Sequence, residues 1–206
     1  MDPETAVPDA PVEGRTISHE ELMCQPVLRY GGPIHVVETG AGLKRALAEI
    51  RRERVVGFDT ESRPTFRKGQ FHPPSLVQIA GSRAAYLFPL KRLNCSRTLS
   101  AIFGDARLVK AGVAPGRDLI DLRRSFRFER RSVVDIGEVA QARGLKQSGM
   151  RNLAGMFLGG RVTKGQQTTN WAQARLTPNQ MVYAATDAWV CRELYLHFEE
   201  LGYMDA

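Results

Sequence analysis

The stretch "VVGFDTES", residues 55–62, combines the pattern of a buried strand with two acidic residues. Its apolar first half indicates a strand inside a sheet, yet Asp59 and Glu61 follow it two positions apart. Because side chains alternate between the two faces of a strand, both carboxylates point to the same side and lie close together. We therefore expect positive charge beside them.

Length and composition indicate a single globular domain. The chain has 206 residues, of which 43% are hydrophobic and 25% are charged. Residues 1–30 lack sustained periodicity, and we expect a flexible N-terminal tail with one helical turn at "SHEELM" (18–23), followed by one domain over residues 31–206. The sequence contains neither a signal-peptide pattern nor a run of about 18 apolar residues, so we expect a cytoplasmic protein.

Positive charge is concentrated after residue 33. The formal net charge is +7, but residues 1–33 contain six acids and two bases, which leaves 27 bases and 16 acids, a net charge of +11, on residues 34–206. A basic body indicates a polyanionic partner, and nucleic acid is the commonest one. A solvated basic surface without such a partner explains the charge equally well.

Alternating strand and helix patterns predict an α/β fold. The runs "SLVQIA" and "AAYLFPL" are joined by "GSR", and this short connection favours an antiparallel hairpin. The result is a predicted mixed central sheet of about five or six strands flanked by helices. Beyond the opening stretch and the hairpin, the predicted elements are strands at 33–39, 107–112 and 132–136, and helices at 40–53, 96–103, 116–126 and from Pro178 onward.

The last predicted helix carries an aspartate beside its apolar face. Thr177 as N-cap, Pro178 at the first helical position and Gln180 at the capping-box position define its start. At 100° per residue, Tyr183 and Asp187 lie on one stripe at the border of the apolar arc. A capped border aspartate and a packed tyrosine explain each residue taken alone.

A further acid opens a helix in "VKAGVAPGRDLIDL". Asp118 lies in the first turn, where the helix dipole favours a negative charge whatever the function. Asp121 follows three residues later. The sequence pattern alone does not decide whether Asp118 or Asp121 belongs to a functional site.

Three segments together resemble a known family. "FDTE", Asp118 in "KAGVAPGRD" and "YAATD" are similar, in order and character, to the three exonuclease motifs of the DEDD superfamily, in its tyrosine subgroup. This group includes ribonuclease D and the Werner-syndrome exonuclease domain. The subgroup follows from Tyr183, four residues before Asp187, because relatives that use histidine place it where this chain has Val182. The resemblance runs from about Ile34 to Leu201 and implies a ribonuclease-H-like fold.

The resemblance implies a metal-dependent 3′-to-5′ exonuclease. Such an enzyme hydrolyses RNA or single-stranded DNA from a free 3′ end and releases nucleoside 5′-monophosphates. Asp59, Glu61, Asp118 and Asp187 would hold two divalent cations, and Tyr183 would orient the attacking water. Unit charges 4 Å apart interact by roughly 4 kcal/mol at an effective dielectric near 20, so these carboxylates require cations, and oxygen ligands favour Mg²⁺ or Mn²⁺.

Residues near these motifs are candidates for holding the 3′-terminal nucleotide. They are Thr60, Arg63 and Gln78 around the first motif, and Gln167 before the third. Arg63 can equally belong to a solvated loop. Trp171 is better explained by packing than by substrate contact.

Two alternatives to an active exonuclease use the same fold. A binding module without turnover would be indicated by a missing acid or tyrosine, and all five residues are present. A scaffolding role in a larger complex would require an exposed apolar patch. The three cysteines and four histidines show no zinc-site or disulfide spacing. Because the chain ends soon after the third motif, we expect a domain that acts without an appended helical RNA-binding domain or helicase.

Overall fold

Strand β2 (Val55–Ser62) lies inside a six-stranded mixed sheet. The computed structural model of the protein describes residues 14–67 and 69–204. The other strands are β1 (Ile34–Val36), β3 (Pro74–Ala80), β4 (Ala85–Pro89), β5 (Val109–Gly112) and β6 (Val133–Asp135). Their order is β1-β4-β3-β2-β5-β6, with antiparallel pairing of β3 to β2 and β4 and parallel pairing elsewhere. The predicted mixed sheet and its hairpin are confirmed.

Helices cover both faces of the sheet. In the described residues they are α1 (His19–Cys24), α2 (Gly40–Ile50), α3 (Ser96–Phe103), α4 (Gly116–Ser125), α5 (Ile136–Ala142), α6 (Met150–Leu158) and α7 (Pro178–Glu200). The predicted start of α7 is confirmed, because the Thr177 hydroxyl accepts from the backbone of Gln180 and the Gln180 side chain accepts from the backbone of Thr177. Within the described ranges, none of these helices has the length and apolar character needed to cross a bilayer.

Side-chain alternation along β2 divides the core into two layers. Val56 and Phe58 belong to the cluster that contains buried residues of α2, α3 and α4. Val55 belongs to the cluster of α5, α6 and α7. Asp59 and Glu61 alternate with Phe58 and therefore point to the α7 side. The shared face predicted for the two carboxylates is confirmed by their proximity to each other and to α7.

Helix α7 crosses β2 at very short range because Gly57 has no side chain. A Cβ at this position would lie 1.8 Å from the backbone oxygen of Ala188 and 2.6 Å from the backbone nitrogen of Arg192. The crossing therefore requires glycine. It brings Asp59, two positions further along β2, beside Asp187, the residue before Ala188.

The N-terminal segment differs from the predicted tail. Residues 1–13 lie outside the described part of the chain. From Ile17 onward the segment packs against the domain, with Ile17 and Leu22 buried in the same cluster as α6 and α7. The predicted helical turn is α1, which begins with a capping box. The expectation of a flexible tail is therefore wrong for residues 17–30, because their apolar side chains find a partner surface more than 100 residues away in sequence.

The substitution Gly57→Ala tests the close crossing of α7 and β2. A methyl group has no room against helix backbone, so α7 must shift, and we expect a loss of at least about 2 kcal/mol in the free energy of unfolding. Urea denaturation measures it. Gly40→Ala is the matched control, because a Cβ at this helical position meets nothing within 4 Å. Equal stability of the two variants would contradict the tight packing.

Candidate active site

Three carboxylates from β2 and α7 converge on one point. Single oxygens of Asp59, Glu61 and Asp187 all lie within 4.8 Å of one another. Glu61 and Asp187 are buried, and Asp59 is largely so. The β2 residues arrive there because they occupy alternate positions of one strand, and Asp187 arrives because α7 crosses that strand at Gly57. Two sequence motifs separated by more than 120 residues thus form one acidic cluster.

Gln78 forms a hydrogen bond with Asp59. Gln78 is the direct partner of Asp59 in the antiparallel ladder of β2 and β3, and its Nε2 donates to Asp59 Oδ2 at 3.2 Å. Its side chain is 0% exposed. The structure thus gives Gln78 a contact with a carboxylate of the cluster, and its contact with the terminal nucleotide stays a prediction. Cross-strand register, which the sequence does not display, gives the residue a positioning role.

Asp118, at the start of α4, joins the cluster from the other side of the sheet. The Thr60 hydroxyl donates to Asp118 Oδ1 at 2.9 Å, and the negative charge of Asp118 acts on both Asp59 and Glu61. Asp121 instead lies within 3.0 Å of Arg117 and 3.1 Å of Arg124. The structure thus brings Asp118 to the cluster, while Asp121 is mostly buried and pairs with two arginines of its own helix. The charge of Asp121 also raises the pKa of Asp118.

Burial raises the pKa of every carboxylate in the cluster, and the charges of the other members raise it further for Asp59, Glu61 and Asp187. For Glu61, burial and the charges of Asp59, Asp187 and Asp118 raise the pKa to about 10. Burial is also the largest cause of the raised pKa values of Asp59, Asp118 and Asp187. Among the described residues, Asp187 Oδ1 is buried without a hydrogen-bond partner. A buried set of oxygen ligands that repel one another and leave an acceptor unpaired fits divalent cations.

Tyr183 borders the cluster one helical turn before Asp187. Burial, followed by the charges of Asp187, Glu61 and Asp59, raises the pKa of its hydroxyl well above 10, so the phenol stays protonated. Its ring lies 5.9 Å from the ring of Trp171, which is 2% exposed and packs in the core. The packing role predicted for Trp171 is confirmed, and its indole fixes one side of the tyrosine ring.

A cleft opens over the carboxylates, and we name it the acid cleft. Thr60 and Gln167 line it, as their predicted role as substrate contacts requires, whereas Arg63 lies exposed on the loop after β2 and is not among the described residues that line it. Two cations that the sequence analysis did not select, Arg151 of α6 and Lys164 after it, also line the cleft. Lys164 begins the stretch "KGQQTTN" (164–170), which also contains Gln167, and this proximity in sequence is the feature that could have identified it.

Comparisons with known proteins agree with this geometry. A family model described as 3′-5′ exonuclease matches residues 34–202. The mouse (Mus musculus) bifunctional 3′-5′ exonuclease/ATP-dependent helicase WRN is 30% identical over 155 residues, which are 72% of this chain and 11% of the mouse protein. The chain therefore spans only a small part of this longer relative.

Solved structures share the fold. The Aedes aegypti Nibbler EXO domain superposes with a TM-score of 0.76 at 22% identity, over 85% of this chain and 92% of that one. Trypanosoma brucei RNase D, solved in complex with RNA U12, gives 0.70 at 23% identity, over 83% and 63% of the two chains. With four carboxylates and a tyrosine gathered where β2, α4 and α7 meet, and a family match across 34–202, the chain belongs to the 3′-5′ exonuclease family and has its ribonuclease-H-like DEDD fold.

Proposed function

We propose that this chain hydrolyses the 3′-terminal phosphodiester bond of RNA or single-stranded DNA and releases nucleoside 5′-monophosphates. The observation that carries the proposal is the convergence of Asp59, Glu61 and Asp187 beneath one open cleft, with the charge of Asp118 acting on Asp59 and Glu61. Burial of these four acids is unfavourable, and no lysine or arginine of the described residues lowers the pKa of any of them. Such a cluster is suited to a bound cation and not to packing.

Two divalent cations, Mg²⁺ or Mn²⁺, would be held by the four carboxylates. When bound, such a pair activates water for attack and stabilises the departing oxygen in phosphodiester hydrolysis. Oxygen-only ligands exclude a preference for the softer metals that thiolates and imidazoles select. Gln78 and Thr60 donate to Asp59 and Asp118, and these hydrogen bonds fix the direction in which each carboxylate presents its free oxygen.

Tyr183 would act as a hydrogen-bond donor and not as a base. Its pKa is raised well above 10, so deprotonation near neutral pH is disfavoured. A protonated hydroxyl at the edge of the cluster can orient water or a phosphate oxygen. The buried indole of Trp171, 5.9 Å from the tyrosine ring, occupies the space on one side of it and so limits where the Tyr183 side chain can lie.

The walls of the acid cleft would receive the polynucleotide. Arg151 and Lys164 provide positive charge on the side of α6, and Gln167 and Thr60 provide polar groups. Guanidinium and ammonium groups bind phosphates, and amides bind base edges and sugars. The net charge of +11 on residues 34–206 favours association with a polyanion. RNA as a substrate is supported by the RNA-bound RNase D with the same fold.

Asp118→Asn and Asp121→Asn form a matched pair of substitutions on one helix. We expect Asp118→Asn to lower kcat by more than about 100-fold, because even a lost outer partner of a metal ligand costs about 10- to 100-fold. Asp121→Asn removes the ion pairs with Arg117 and Arg124 and leaves every carboxylate of the cluster in place, so we expect kcat within about threefold of wild type. Release of mononucleotides from end-labelled RNA and DNA oligomers with Mg²⁺ or Mn²⁺ measures both. The reverse order of effects would assign the site to the wrong aspartate, and wild-type activity in chelator would refute the metal mechanism.

The raised pKa of Glu61 predicts that metal-free protein loses stability as the pH rises. The folded state holds a proton on Glu61 up to about pH 10, whereas the unfolded chain releases it near 4.5. Between these values the folded state binds more protons, so its stability falls with increasing pH. We expect Tm in chelator to fall more steeply from pH 5.5 to 8.5 in wild type than in Glu61→Gln.

Divalent cations should reverse the fall of Tm with increasing pH, because a bound cation takes the place of the proton on Glu61. The increase in Tm on adding Mn²⁺ is expected to be larger at pH 8.5 than at pH 5.5. Scanning calorimetry of the two proteins with and without Mn²⁺ measures both effects. Equal slopes for wild type and Glu61→Gln would show that this carboxylate is not buried as described.

Tyr183→Phe separates orientation from metal binding. Removal of the hydroxyl leaves the ring against Trp171 and the carboxylates in place, so the Mn²⁺-induced increase in Tm should persist. A hydrogen bond to a charged group contributes roughly 1.5–3 kcal/mol, so kcat should fall by about 10- to 100-fold. Single-turnover hydrolysis and calorimetry are the measurements. An unchanged kcat would remove Tyr183 from the proposed mechanism.

A further inference from the structure

A second cleft lies on the other side of Tyr183 and Asp187. It shares these two residues, and also Val162 and Thr163, with the acid cleft, so the two openings meet at the carboxylate cluster. Its remaining wall includes Gln166, Asn179 at the start of α7, and residues that precede β1. One of these is Arg29. The second cleft is therefore completed by chain that precedes the family match, which covers residues 34–202.

The segment that supplies this wall is anchored to α6. We name residues 17–30 the N-terminal strap. Gly155 of α6 has no side chain, and a Cβ there would lie 2.6 Å from Leu22 and 2.8 Å from Ile17, so both strap residues occupy that space. Gln25 Nε2 also donates to the backbone oxygen of Gly155 at 2.9 Å. Three strap residues thus converge on one glycine.

Arg29 lies between two further anchors. The backbone N–H of Leu28 donates to the carbonyl of Arg161 at 2.9 Å, and the backbone N–H of Tyr30 donates to the Thr186 hydroxyl at 3.0 Å. The backbone of Arg29 is therefore fixed at the mouth of the second cleft, while its side chain is exposed. Nothing in the described part of the chain forms an ion pair with this guanidinium.

The guanidinium of Arg29 does not neutralise the acidic cluster. The causes that shift the pKa of Asp187 are burial, Asp59 and Tyr183, and Arg29 is not among them. A cation whose backbone is held at the second cleft, and whose side chain is exposed and forms no ion pair within the described residues, is available to an anionic ligand. The polar residues around it, Gln166 and Asn179, carry the amides that hydrogen-bond to sugars and base edges.

We propose that Arg29 binds a phosphate of the substrate strand other than the scissile one, and that the N-terminal strap thereby extends the substrate-binding site. The inference rests on the proposed exonuclease function, because the strand must reach the acidic cluster. Arginine binds phosphate oxygens through two parallel N–H groups. The second cleft is continuous with the cluster, so a strand whose terminal linkage lies at the carboxylates has a neighbouring phosphate within this part of the surface.

Substrate length tests the proposal. A dinucleotide contains only the scissile phosphate, whereas a trinucleotide contains one more. We expect Arg29→Ala to lower the ratio of kcat/KM for trinucleotide to kcat/KM for dinucleotide by about 3- to 10-fold relative to wild type, the range of a charge-assisted contact at an exposed site. Arg45→Ala on α2 removes the same charge from the opposite layer and should leave this ratio at the wild-type value.

The strap itself is tested by Gly155→Leu. The new side chain occupies the space of Ile17 and Leu22 and displaces the strap, so the ratio should fall as it does in Arg29→Ala. The double variant should show no additional loss, because Arg29 is already displaced. Arg29→Lys should restore part of the ratio.

Salt dependence gives a readout independent of turnover. The binding constant of a hexanucleotide with a cleavage-resistant phosphorothioate terminus should depend less steeply on KCl in Arg29→Ala, with a log–log slope reduced by about 0.7, the value for one phosphate contact on a single strand. An unchanged slope, or a trinucleotide-to-dinucleotide ratio within twofold of wild type, would overturn the inference. Hydrolysis of neither substrate by wild type would instead refute the proposed exonuclease function.

Discussion

The arrangement of this protein depends on the close crossing of α7 over β2. Without a side chain at Gly57, helix backbone lies directly against strand backbone, and Asp187 arrives beside Asp59 and Glu61. The same contact that buries apolar surface therefore also forces like charges together. Packing supplies the free energy that holds the carboxylates in place, and a bound cation relieves the repulsion that packing creates.

The residues around the cluster limit its freedom without neutralising it. Gln78 and Thr60 each donate one hydrogen bond to a carboxylate, and Trp171 supports the tyrosine that borders them. Neutral donors fix direction while leaving the negative charge available to a cation. A nearby arginine in these positions would pair with the acids and reduce their affinity for metal. The side chains that hold the cluster in place are thus neutral. The positively charged side chains of Arg29, Arg151 and Lys164 line the two clefts instead.

Local patterns in the sequence predict the mixed α/β sheet, whereas the assembly of the four carboxylates and the tyrosine into one site is implied by the resemblance of the three motifs to the DEDD exonucleases. Alternation in "VVGFDTES" placed two acids on one face, and capping signals at Thr177 located the helix that carries Asp187. The helix pattern alone leaves Asp118 and Asp121 open, because both occupy the first two turns of the same helix. The resemblance implies Asp118, and in the structure its charge acts on Asp59 and Glu61. The role of Gln78 required the register of β2 and β3. The N-terminal strap reads as a tail in the sequence because its partners, Gly155 and Arg161, are at least 130 residues away and leave no local signal.

The position of α7 in the chain has a consequence for biosynthesis. A growing polypeptide that has not yet reached residue 178 lacks both Tyr183 and Asp187 and exposes the face of β2 that α7 covers. Such a chain has only part of the acidic cluster, and the strap lacks its hydrogen-bond partner Thr186. A nascent chain on the ribosome therefore does not assemble the cluster until α7 has been synthesised and has folded onto the sheet.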